Sequence, residues 1–451
     1  MRPLFRGDYG RRYAPMHKNQ MHLFKTQRFL PLFLTQFFGV LNDNFFKNAL
    51  IILVLFQIAD QVELDGQTAV TIAFGTFSLP FFLLSSTAGQ IADKFEKSQL
   101  IRAIKFAEIL VMGLGAAAFY LGNFPLMLGV LFCMGAQSTF FGPLKYGILP
   151  DHLHTTELIG GNALIQTSTF LAILIGTILG GVLVLTQNGI MLVSGLILAF
   201  AALGYCASRR IPIADAHSAA LVINWNPMSE TRNIVRGAFA RWSIRYSILG
   251  ISWFWLVGAI FVSQFPNLVK FGIGGNEHVV TLLLTAFSIG IGIGSLLCNK
   301  LVAGEITAKF VPFGAAGVTL FALDFSFATA GLVPISGNLT GLPTFLASPG
   351  AWRILFDLTA IAACGGIFIV PLFAIMQVRS DAKERSRTIA ANNILNACFV
   401  VAGTTFAGLM LSIDMTVPSI FLAVAILSAA VSLIAWRVVA AENGRQRGNC
   451  R

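Results

Sequence analysis

Apolar residues fall along this chain in blocks of about twenty to thirty, parted by short polar stretches that are mostly basic. Twelve blocks lie near 29–58, 68–92, 100–121, 124–149, 158–186, 189–208, 247–270, 279–301, 310–333, 352–378, 388–413 and 416–437. Roughly 20 apolar residues cross the hydrocarbon core of a bilayer. Lipid offers no partner to a bare backbone, so each span must be a helix or part of a closed barrel. Barrel strands alternate over about ten residues, and these blocks do not. The pattern predicts an all-α membrane protein with 12 transmembrane helices. The longest charged connection, 209–246, divides it six plus six. The expected organisation is a tail 1–28, a bundle 29–208, a basic linker 209–246, a second bundle 247–437 and a tail 438–451.

Composition agrees. Of the 451 residues, 56% are hydrophobic and 11% charged, against about 25% charged in soluble chains. The net charge is +11. With the N-terminus inside, 28 of the 31 Lys and Arg residues fall on the inner side, and Lys47, Lys270 and Arg353 are the exceptions. That bias places both termini in the cytoplasm. The first outer loop carries Asp60, Glu63 and Asp65 and no base. The basic excess then faces anionic lipid, not nucleic acid. The N-terminus lacks the short apolar core of a signal peptide, so the first span serves as the targeting signal.

No cofactor, metal site or enzyme activity is expected. The six histidines sit in tails or loops without metal-ligand spacing, and no nucleotide-binding fingerprint is present. The cysteines form no CxxC pair and read as small apolar side chains.

Polar residues inside the blocks carry the functional signal. Block one holds Asn42, Asp43, Asn44, Lys47 and Asn48 at its centre. A charge at that depth costs at least ~2.5–3.5 kcal/mol, so these groups need a protein or water environment, and they mark a substrate or ion path. Asp43 and Lys47, at i and i+4, can pair within the helix. A purely structural ion pair is the alternative. Flanking Phe37, Phe38, Phe45 and Phe46 face lipid or line a cavity suited to an acyl chain beside a charged head. Other polar positions are Gln137 and Lys145 in block four, and the pairs Asn162 with Gln166, Asn392 with Asn396, and Arg353 with Asp357. Interhelical hydrogen bonding is the competing role for the amides. Pro143, Leu144, Asn162 and Gln166 align with Pro371, Leu372, Asn392 and Asn396 in the second half, as parallel repeats would.

The 2–3 loop, GQIADKFEKSQLIR, resembles the major facilitator loop signature through Gly89, Asp93, Lys94 and Lys97, with Glu96 replacing the second glycine. Gly89 permits close helix approach, and Asp93 can pair with a base or a helix N-terminus across the bundle. Taken with FLPLFLTQFFGVLNDNFFKNAL, GPLKYGILPDHL, SWFWLVGAIFVSQFPNLVK, GGIFIVPLFAIMQ and RSRTIAANNILNA, it makes the chain similar to the lysophospholipid transporter family of the major facilitator superfamily. The chain also looks close to the membrane half of bacterial proteins that fuse such a transporter to a 2-acylglycerophosphoethanolamine acyltransferase and an acyl-ACP synthetase.

That resemblance implies a facilitator fold of two six-helix bundles in the bacterial inner membrane. It implies movement of lysophospholipid, chiefly lysophosphatidylethanolamine, from the outer to the inner leaflet for reacylation. By matching positions it implies roles for Asn42, Asp43, Asn44, Lys47, Lys145, Arg385 and Asn392, with Arg387 beside them in the gate. The chain ends soon after helix 12, so a separate acyltransferase or acyl-ACP synthetase is the implied partner. Single transporters of the family tend to carry an Arg in helix 7, where this sequence offers Gln264. Two other readings stay open: a facilitator of a small soluble metabolite or drug, proton-coupled through Asp43, and a non-transporting subunit that docks an acyltransferase.

Overall fold

The computed structural model describes residues 20–54, 66–332 and 340–448. Most of the tail 1–28, the loop with Asp60, Glu63 and Asp65, and the last residues of the tail 438–451 lie outside the described residues.

The spanning helices are α1 (Leu30–Leu53), α2 (Gly66–Lys94), α3 (Lys97–Leu121), α4 (Phe124–Gly147), α5 (Leu158–Val184) and α6 (Gly189–Ser208), then α7 (Trp242–Asn267), α8 (Glu277–Val302), α9 (Val311–Ala330), α10 (Ala351–Arg379), α11 (Arg385–Ser412) and α12 (Val417–Gly448). Eleven of them are long and apolar enough to cross a membrane on length and composition alone. The other is α1, whose 24 residues rise about 36 Å at 1.5 Å each but whose polar centre dilutes its apolarity. The described residues therefore form the expected all-α, twelve-helix arrangement.

Local chemistry sets the helix ends. Gly122 takes the left-handed conformation (φ 60°) that closes α3, and Asn123 caps α4 by accepting from the Leu126 N–H at 2.9 Å. Glu96 caps α3, accepting from the Ser98 and Gln99 N–H groups. Its carboxylate also accepts from the Ala214 N–H of the linker at 2.9 Å. Burial raises the Glu96 carboxyl, but these donors outweigh it and hold the group below its usual range. Their stabilisation is complete above the ordinary carboxyl range and fades as pH falls through the depressed value.

Backbones approach closely where glycines line the seams. A Cβ on Gly180 of α5 would meet the Phe45 carbonyl oxygen of α1 at 2.3 Å, and one on Gly294 of α8 the Ala363 carbonyl oxygen of α10 at 1.8 Å. Association inside lipid relies on such close packing, because hydrophobic burial drives nothing there.

The connection after α6 is tied along one end of the first half. The Lys97 N–H donates to the Ala214 carbonyl, Ser218 N–H to the Asp93 carbonyl, and Asn224 and Gln90 exchange two hydrogen bonds. It then forms an amphipathic helix, Pro227–Ala240, capped by Asn226. Next, α7 begins at Trp242, five residues earlier than the hydropathy of the sequence suggests, because Ser243 and Arg245 lower the hydropathy of a first turn that is helical and buries Ile244.

Gly294→Ala is expected to lower the melting temperature of the purified protein, with overpacking costing about 1–3 kcal/mol. The control Gly129→Ala, where a Cβ meets nothing within 4 Å, should leave it unchanged. Equal melting temperatures for both variants would contradict the close-packing account.

Candidate functional site

The polar centre of α1 turns its side chains in several directions. Gln36 bonds Ser168 and Thr169 of α5 at 2.8 and 2.9 Å, and Asn48 donates to the Thr177 carbonyl. These two hold helices together. Asp43, only 7% exposed, accepts from the Ser138 hydroxyl of α4 through Oδ2. Its Oδ1 has no protein partner. Asn44 donates to the Val40 carbonyl at 2.8 Å and accepts from Lys47 Nζ at 3.1 Å.

The expected Asp43–Lys47 pairing is not seen. Lys47 leans toward α2, with its ammonium 5.5 and 5.1 Å from the ring centroids of Phe74 and Phe77. Those aromatic faces attract a cation and draw it off the Asp43 carboxylate. Phe45 and Phe46 are fully buried, packed on Phe200 and Phe119.

Asn42 leads to a pair of charges that sequence reading missed. Its amide donates to Glu108 Oε1 at 3.1 Å, and Glu108 Oε2 takes Lys105 Nζ at 2.6 Å. Counting cations by loop puts Lys105 at the inner surface. The structure corrects this: Lys105 lies eight residues into α3, about 12 Å along it, and is 3% exposed while Glu108 is 0%. The i, i+3 spacing of Lys105 and Glu108 within an apolar block was the available signal.

Lys145 of α4 stands 4.9 Å from the Tyr146 ring centroid and is half-buried. Among the described residues its ammonium has no hydrogen-bond acceptor and no carboxylate at salt-bridge distance. Lys105 and Asp43 are its electrostatic neighbours, and Asp43 in turn lies in the field of Glu108, Lys105 and Lys47. The structure thus gathers Asp43, Lys47, Lys105, Glu108 and Lys145 into one neighbourhood of formal charge +1. The half-buried Gln137 also leaves its Oε1 without a partner, as Asn42 does its Oδ1. An unmet buried polar atom costs about 1–3 kcal/mol, so several together mark a place for water or a ligand.

The remaining candidates divide between seam and interior. Asn162 belongs to the seam between the halves: it donates to Gln377 Oε1 of α10 at 2.7 Å, and Gln377 donates back at 3.1 Å and to the Tyr146 carbonyl at 3.1 Å. Tyr146 stacks on Phe373 at 4.4 Å. Asn396 accepts from Ser252 of α7 at 2.9 Å. Gln166 and Asn392 are buried, and neither side-chain oxygen or nitrogen has a partner. Gln264 bonds Asn267 within α7. Arg353 pairs with Asp324 of α9, not with Asp357 as expected from its own helix, because Asp324 takes both its Nε and Nη2.

The polar contacts joining the halves cluster at the face carrying most of the Lys and Arg residues. Asp93, at the end of α2, accepts from the backbone N–H groups of Ser386 and Arg387 at 2.9 and 3.2 Å and from Arg387 Nε at 3.1 Å. These are the unpaired donors at the positive end of α11. Gly89 permits the approach, since a Cβ there would meet Ala390 Cβ at 2.7 Å. Asp151, another residue missed from sequence, joins Lys97 at 2.9 Å, Arg385 at 3.1 Å and His217 of the linker at 3.0 Å. Lys94 stays outside this latch, with its ammonium over the Phe95 ring. Deeper between the halves, Phe170 stacks on Trp255 at 6.0 Å and touches Phe254 and Phe287.

The Major Facilitator Superfamily model matches residues 32–337. The chain is 27% identical over 372 residues to the lysophospholipid transporter LplT of Yersinia enterocolitica, covering 80% of this chain and 81% of that one. It is 28% identical over 322 residues to the protein of the same name from Escherichia coli O1:K1, covering 70% and 71%. Among solved structures it resembles the human organic anion transporter MFSD10 (TM-score 0.67, 14% identity, 94% of this chain and 100% of that one) and the Escherichia coli fucose:proton symporter FucP (0.65, 16%, 91% and 98%). Those likenesses carry the fold alone. Twelve spanning helices, a latch at one face, a charged neighbourhood within the bundle and the family match agree: the chain belongs to the major facilitator superfamily and is a multi-pass membrane transporter similar to its lysophospholipid transporters.

Proposed function

We propose that this transporter moves single-tailed phospholipid, with lysophosphatidylethanolamine the best fit, from the outer to the inner leaflet of a bacterial inner membrane by alternating access. One observation carries the reading: inside the bundle, the Lys145 ammonium lacks an acceptor and Asp43 Oδ1 lacks a donor. A phosphoethanolamine head group supplies both, a phosphate for Lys145 and an ammonium for Asp43. The names of the relatives point to the same substrate class.

The acyl chain need not enter the polar site. One side of α2 exposes Ile72, Leu79 and Leu83, an apolar flank along which a single tail can slide. With the basic face in the cytoplasm, both termini are inside and the latch closes the inner side. The lipid delivered there would be the substrate of a separate acyltransferase. Opening requires Asp93 to leave the α11 N-terminus and Asp151 to release Arg385.

Labelled lysophosphatidylethanolamine taken up by the purified protein in liposomes, read by leaflet, tests the proposal. Asp43→Ala and Lys145→Met are each expected to lower kcat/KM about tenfold or more, equal to ~1.4 kcal/mol, with normal insertion. Wild-type transport of a polar metabolite and of no lysolipid would overturn it.

The latch makes a separate prediction. In a cysteine-free background carrying Gln166→Cys, the added change Asp93→Asn is expected to speed labelling by an impermeant thiol reagent from the inner side several-fold. An unchanged rate would refute the latch.

A further inference from the structure

The Lys105–Glu108 pair of α3 remains without a role. It is buried and well made: 2.6 Å between charges, the Asn42 amide on the second carboxylate oxygen, and the Phe141 ring 4.7 Å from the ammonium. The ammonium also fills a gap left for it, because a Cβ on Gly39 of α1 would lie 2.3 Å from Lys105 Nζ. Well-packed apolar side chains in place of a buried ion pair are often as stable or more so. Stability therefore does not explain why the pair is there.

Its neighbours suggest a reason. Lys145 lies in the field of Lys105, and Asp43 in the fields of both Lys105 and Glu108. Asn42, adjacent to Asp43 in sequence, is held by Glu108 and keeps its buried Oδ1 unpartnered. Buried charges act on each other with little screening by salt. The neighbourhood carries formal charge +1, so any change in that charge alters the relative cost of seating an anionic and a zwitterionic head group.

Resting on the lysophospholipid reading above, we propose that Lys105 and Glu108 together set the head-group charge preference of the site, as a cation and a partial counterweight behind Lys145 and Asp43. The two residues act on substrate through the field they impose and need not touch it. Removing the acid raises the local charge to +2 and favours anionic head groups. Removing the base lowers it to zero and favours zwitterionic ones. Removing both restores +1.

The test is transport of lysophosphatidylglycerol and lysophosphatidylethanolamine by the purified protein in liposomes, expressed as the ratio of their kcat/KM values. The ratio is independent of how much protein is correctly inserted. Glu108→Gln is expected to raise the anionic-to-zwitterionic ratio roughly three- to tenfold, and Lys105→Met to lower it comparably, the scale of one unit charge acting through a partly buried site. The double variant should return close to the wild-type ratio.

A lone buried charge can impair folding, so the exchanged pair Lys105→Glu with Glu108→Lys is measured as well. It keeps the ion pair and the formal charge of +1, so its ratio should stay close to that of the wild type. A constant ratio across the inserted single variants, or a large shift in the exchanged pair, would overturn the proposal while leaving the transport reading intact. A wild-type protein that carries neither lipid would overturn both.

Discussion

Everything in this protein follows from the difficulty of holding charge inside a bilayer. Helix α1 carries Asp43 and Lys47 across the membrane in its middle, and neither neutralises the other. The surrounding helices bend to that demand. Ser138 of α4 gives Asp43 a hydroxyl, α2 gives Lys47 two aromatic faces, and α3 brings its own ion pair to hold Asn42. The glycines on α5 then let α1 pack tightly along its other side, so the polar side of α1 is left to look inward. The Lys145 ammonium and one Asp43 carboxylate oxygen are left without a protein partner, and it is there that we propose a doubly charged head group sits.

The same economy of partners governs the face where the halves meet. A buried carboxylate needs donors, and the free N–H groups at the start of α11 need acceptors. Asp93 answers both at once. Asp151 does the same for Lys97 and Arg385. Because the contacts of Asp93 with the start of α11 and of Asp151 with Arg385 join the two halves, separating the halves exposes these groups to be hydrated anew. Water at that face can do that, which is why a cluster of charges belongs there and a plug of rings, around Phe170, belongs deeper. The linker strengthens the arrangement by tying His217 to Asp151 and Ser218 to Asp93.

Much of this was legible in the sequence, and the limits are physical. Block length and lipid chemistry alone dictate helices and their number, and polar residues in an apolar block announce themselves. What hydropathy cannot show is direction around a helix and distance between helices. Lys47 has Asp43 four residues away yet faces Phe74 and Phe77, because those rings come from another helix. Arg353 passes over Asp357 on its own helix for Asp324 on α9 for the same reason. Lys105 follows a basic loop and so reads as part of it, although the helix has already started at Lys97. Asn162 and Gln377 are 215 residues apart in sequence and share two hydrogen bonds. Such contacts arise from the packing of the halves, which no local pattern encodes.

The central claim is that the unpartnered groups of Asp43 and Lys145 receive a lipid head group. An experimentally determined structure of the protein in lipid nanodiscs with lysophosphatidylethanolamine bound tests it most directly. The account predicts the phosphate within hydrogen-bond distance of Lys145 Nζ and the ethanolamine nitrogen beside Asp43 Oδ1, with the tail toward the apolar flank of α2. A head group seated away from both residues, with Asp43 and Lys145 enclosed by dry protein, would contradict it.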